Sequence, residues 1–189
     1  MLAAEIPLQT LPERLSFTPS VPSRQRPASQ FQPRIRIRRR LCCLYLILTR
    51  QTSDRIIASI DNSNYYYANT LHGTSLPEES LSKGFTLEYI LALFNSKLMN
   101  YIYTVITGEV GKTFAQIKID TLRKLPISED PNNEKSIKLK LLAEVLANKN
   151  DGNVESIAHE IDRLIYDLYG LTEASISYIE QRYLELCGE

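Results

Sequence analysis

Residues suited to metal or redox chemistry are scarce in this chain: of 189, three are cysteine and two are histidine. Cys42 and Cys43 are adjacent, so the CxxC spacing of a zinc site is missing. His72 and His159 stand alone, and ordinary core or surface placement is the expectation for both. An odd cysteine count with no signal peptide points to a reducing compartment, here the cytoplasm. Long apolar runs are absent too. The longest is Leu41 to Leu48, far short of the roughly 20 residues that span a bilayer. It reads as a buried strand, and no membrane association is expected. Residues 1–40 lack Lys, Asn, Asp, Gly and Tyr altogether. Every Lys lies at Lys83 or later and every Asn at Asn62 or later.

What residues 1–40 do contain is six prolines with much Ser, Gln and Arg. Such a segment buries too little apolar surface to offset its chain entropy. Residues 1–43 are therefore expected to be a disordered tail, and the abrupt change of composition suggests a segment foreign to the rest of the chain. The net charge of zero hides a split. Residues 1–50 hold nine Arg against Glu5 and Glu13, a net of +7; residues 51–189 hold 13 basic and 20 acidic residues, a net of −7. The run Arg34 to Arg40 can attract phosphates without reading sequence.

The remainder has an α+β pattern: a small sheet, a long amphipathic helix, then a helical segment. Leu44 to Thr49 and Arg55 to Ile60 read as strands. A turn cluster follows from Asp61 to Asn64, and a third strand is expected from Tyr65 to about Leu71. Tyr65 and Tyr67 share a face, which favours packing over base stacking. Residues 72–84 read as loop. Thr86 suits an N-cap, with Phe85 and Ile90 spaced as a staple. Leu87, Ile90, Leu91, Phe94, Leu98, Ile102 and Val105 then mark one face of a single helix stopped by Gly108. Asn95 and Ser96 fall mid-helix, where a buried polar link to a neighbouring strand is the preferred role. Residues 115–119 alternate weakly, as a strand would. In the last third, one helix places Ile137, Leu141, Leu142, Val145 and Leu146 on one side. Asn153 and Thr172 suit the caps of two more.

The segments LTRQTSDRIIASID, NYYYANTL, LEYILALFNSKLMNYIY and GKTFAQIKIDTLRKLPI, in that order, resemble the TaqI-like C-terminal specificity domain. That domain belongs to N6-adenine DNA methyltransferases, including type IIG restriction–modification enzymes. The most specific pieces are Leu93 to Leu98 and Leu125-Pro126-Ile127. The resemblance runs from about Leu46 to Glu180, because the closing helices also look like those of such proteins. It implies a target recognition domain over residues 44–130 and a C-terminal helical segment over 131–189.

The resemblance also exposes what is missing. Such enzymes hold the flipped adenine with an Asn-Pro-Pro-Tyr-type motif and S-adenosylmethionine with a Gly-bearing motif. Here Pro-Pro never occurs and the seven glycines form no GxG. No Asp…Glu-x-Lys grouping suits a magnesium nuclease. The chain is thus expected to hold no cofactor and no catalytic residue. S-adenosylmethionine would belong to a catalytic domain encoded separately or lost. The expected partners are double-stranded DNA and that domain. Base-edge and phosphate contacts call for Arg, Lys, Asn, Gln and hydroxyls. Arg50 and Gln51 at a strand end, and Lys112, Thr113, Gln116 and Lys118 beyond Gly108, are the candidates. The competing readings are a helical protein-interaction module or a remnant without DNA function, and an autonomous enzyme.

Overall fold

The computed structural model describes residues 16–17, 46–62, 67–108, 115–148 and 154–187. Among them, β1 (Ser16–Phe17), β2 (Leu46–Arg50), β3 (Ala58–Asp61) and β4 (Leu71–Ser75) form one antiparallel sheet in the order β1-β4-β2-β3. β2 is an inner strand: Ile47 sits opposite Ile60 on one side and Thr74 on the other. Its residues alternate, with Ile47 and Thr49 buried and Arg50 exposed at the end. Of the N-terminal segment, Ser16 and Phe17 pair with Ser75 and Thr74. Cys42, Cys43 and the arginine run lie outside the described residues.

The third strand starts later than its sequence suggests. Tyr67 is exposed ahead of it, Tyr65 and Tyr66 lie outside the described residues, and β4 occupies part of the expected loop. Gly73, at the centre of β4, is a weak strand former by type. Pairing with Thr49, Leu48 and Ile47 holds His72, Gly73 and Thr74 extended and buried, so tertiary pairing overrides local preference. The same stretch then forms a short helix, α1 (Glu78–Ser82), after Pro77.

The long helix is two helices, α2 (Leu87–Asn95) and α3 (Lys97–Thr107). Ser96 sits between them with extended backbone (φ −70°, ψ 152°) and caps both. Its hydroxyl donates to the Leu93 carbonyl at 2.7 Å and accepts from the Met99 amide at 3.2 Å. Local side-chain bonds of this kind compete with the helical ladder. Both outer ends fall where expected. Thr86 Oγ1 accepts from the Tyr89 amide at 3.3 Å. Gly108 closes α3 in the left-handed region (φ 60°), which favours glycine.

α2 buries more than one face. Every residue from Tyr89 to Phe94 is buried, because the helix lies between the sheet, α3 and the later helix α5 (Glu134–Asn148). The short α4 (Ile119–Leu122) precedes α5, and α6 (Val154–Leu168) and α7 (Glu173–Cys187) complete the described elements. α5 does not bury the side expected of it. Leu139 and Ala143 enter the core, with Leu142 and Leu146 packed partly against it, while Ile137, Leu141 and Val145 are exposed. Apolar residues occupy two sides of this helix. α6 presents Ile157, Ile161 and Ile165 to the core, and α7 presents Ile179. Thr172 Oγ1 accepts from the Ser175 amide at the start of α7, as expected of a cap; Asn153 lies outside the described residues. One core therefore runs from Ile47 on the sheet to Ile179 on α7.

Candidate nucleic-acid interface

Beyond Arg50 the chain bends at Gln51 and meets the segment before α4. The Ile117 amide donates to the Gln51 carbonyl at 2.7 Å, and the Ser53 amide donates to the Ala115 carbonyl at 3.1 Å. Thr52 stands opposite Gln116 in an antiparallel bridge. The two segments form a short ribbon at the end of the sheet. Side chains alternate along each. Arg50 and Thr52 are exposed while Gln51 and Ser53 are half-buried; Ala115 and Ile117 are buried while Gln116 and Lys118 are exposed. One side of the ribbon thus seals the core, and the other carries polar groups into solvent.

The return leg, residues 115–118, is pinned from beneath. His72 on β4 is buried, and its Nε2 lies 3.0 Å from the Ile117 carbonyl. A carbonyl only accepts, so the ring proton resides on Nε2. Tyr103 on α3 is also buried. Its hydroxyl accepts from the Lys118 amide at 2.9 Å and donates to the Gln116 carbonyl at 3.3 Å. The Gln51 amide donates to the Thr70 carbonyl at 2.8 Å, tying the outgoing leg to the approach to β4.

Of the six candidate contact residues, Arg50, Gln51, Gln116 and Lys118 come together in this ribbon. Arg50, Gln116 and Lys118 are exposed; Gln51 is half-buried, and its backbone is engaged on both sides. Lys112 and Thr113 lie outside the described residues. Thr52, exposed opposite Gln116, is an addition. Strand alternation carried two residues past Arg50 would have found it.

The motif residues behind the family resemblance hold the fold together. Asn95 works as a side-chain strand: its Oδ1 accepts from the Ala58 amide and its Nδ2 donates to the Ala58 carbonyl, both at 2.9 Å. This is the polar link to a strand expected of it, although the side chain is exposed rather than buried. Asn100, one turn into α3, was not singled out by its sequence context. It is buried, accepts from the Ile56 amide at 2.6 Å, and donates to the Ser96 and Phe94 carbonyls at 2.9 and 3.3 Å. Pro126 of the Leu-Pro-Ile run accepts from the Tyr169 hydroxyl at 2.6 Å, and Ser128 donates back to that hydroxyl at 3.2 Å. Burial pushes the Tyr169 phenol far above its ordinary range.

Asp162 on α6 accepts from the Lys97 amide at 3.0 Å, at the start of α3. Lys97 Nζ lies 4.0 Å from this carboxylate and 3.1 Å from that of Glu180. Desolvation outweighs these contacts and raises Asp162 to about 6. Asp162 lines a cavity of about 290 Å³, together with Asn95, Ser96 and small residues such as Ala92 and Ala143. Among the described residues no group of three or more His, Cys, Asp or Glu could hold a metal ion, and no helix is long and apolar enough to cross a membrane.

Residues 34–127 match the family model of the TaqI-like C-terminal specificity domain. That stretch of the chain is a domain of this family, and it contains the sheet strands from β2 onward, α1 to α4 and the ribbon. The match starts earlier than the resemblance read from the sequence and stops sooner, at Ile127; α5, α6 and α7 lie beyond it. No curated protein matches the chain.

Proposed function

We propose that this chain is the DNA target recognition module of an adenine-specific (N6) methyltransferase in a restriction–modification system, type IIG enzymes being one form. The observation that carries the reading is the exposed polar side of the ribbon, set within a specificity-domain family. A two-stranded ribbon fits the major groove. Arg50 suits the paired acceptors of guanine, Gln116 suits adenine, and Lys118 suits phosphate or guanine. Thr52 between them can donate or accept. Lys112 and Thr113, outside the described residues, are proposed for the same role by residue type.

Methyl transfer belongs, in this reading, to a partner catalytic domain that binds S-adenosylmethionine and the flipped adenine. The module's task is to hold the duplex in register for that domain. Because residues 51–189 carry a net charge of −7, the chain alone binds DNA weakly, with steep salt dependence if the Arg-rich N-terminal segment contributes.

The test is selection from a random duplex pool by the purified full chain at low salt. Enrichment of one short sequence is the expected result; a pool returned unchanged contradicts the proposal. The exposed apolar row Ile137, Leu141 and Val145 on α5 favours a second reading, a helical protein-interaction module. Binding of a protein partner with no duplex enrichment would select it.

A further inference from the structure

We infer that Tyr103, together with His72, is a positioning residue for DNA readout: it fixes the return leg and so sets the direction of the Gln116 and Lys118 side chains. This rests on the reading proposed above.

Five backbone groups of that leg are committed within the protein. The Ala115 carbonyl accepts from Ser53, the Gln116 carbonyl from Tyr103 and the Ile117 carbonyl from His72. The Ile117 amide donates to Gln51 and the Lys118 amide to Tyr103. The two committed amides are not offered to phosphates, and the three committed carbonyls hold the leg in place. The backbone held in this way sets the direction of the exposed Gln116 and Lys118 side chains. Bidentate base contacts tolerate little misplacement, so a supporting shell that fixes the backbone is needed for selectivity. Tyr103 is the most economical part of that shell. A single hydroxyl, on a ring that is 3% exposed, bonds the residues on both sides of Ile117.

Tyr103→Phe separates this role from general stability, because it keeps the core ring and removes only the hydroxyl. The full-length chain is first used to select its preferred duplex. Binding of wild type and variant is then compared on that duplex and on a scrambled one, with amide exchange at Lys118 read in parallel. In the expected result the preference for the selected duplex falls about tenfold, scrambled-duplex binding stays within about twofold, and the Lys118 amide exchanges faster. An unchanged preference, or an equal loss on both duplexes, overturns the positioning role and leaves the DNA reading standing. Failure of the wild-type chain to select any sequence overturns the DNA reading itself, and the role of Tyr103 with it.

Discussion

Asp162 is 7% exposed, with one oxygen on the Lys97 amide and Glu180 and His159 in its electrostatic surroundings. Its folded value of about 6 lies above the roughly 3.9 of an unfolded aspartate. The raised value fixes the sign. Its contribution to stability is fully present below the unfolded value and is lost as pH rises through about 6. Asp162→Asn keeps an acceptor for the Lys97 amide and removes the titration. Urea midpoints taken from pH 4 to pH 8 are expected to fall less steeply for the variant, with a gain over wild type at the upper end. An unchanged slope would mean that the carboxylate is better solvated than its burial implies. Nothing local marks this aspartate, because its burial depends on the start of α3, 65 positions away in sequence.

Helix ends were legible where one residue decides them. Thr86 and Gly108 have the side chain or the backbone freedom that their positions require. The break at Ser96 was not, because the apolar period through Leu91, Phe94, Leu98 and Ile102 runs across it uninterrupted. Asn100 shows why the chain breaks there: it satisfies two carbonyls beside the break and one amide from the approach to β3. Asn100→Ala is expected to lower unfolding free energy by about 2 kcal/mol, the usual cost of stranding buried backbone partners. Denaturant titration checks this. A loss below about 0.5 kcal/mol would show that water replaces the amide. The side of α5 that faces the core was equally hidden, since its periodicity supports two choices and only the surface of α2 decides between them. The late start of β4 has the same origin, in pairing that no local window contains.

For the molecule as a whole, sequence chemistry picked out Arg50 and Gln116 separately, from a strand end and from a lysine-bearing loop. Folding brings those segments into one ribbon, and it does so through His72, Tyr103 and Gln51, none of which was expected to hold the site together. Residue types suited to DNA were therefore readable; the support that aims them was not, because it comes from β4 and α3. The terminal helices share the core of the specificity domain, so the ribbon stands on the whole body and not on a loop alone. The most direct measurement compares Gln116→Ala and Lys118→Ala with wild type on the selected duplex and its single-base variants, over a range of salt. Lys118→Ala should weaken every duplex and lower the salt slope by about one, whereas Gln116→Ala should relax preference at one base pair at a cost of about 1–3 kcal/mol. Binding and selectivity unchanged in both variants would show that the ribbon does not touch the duplex.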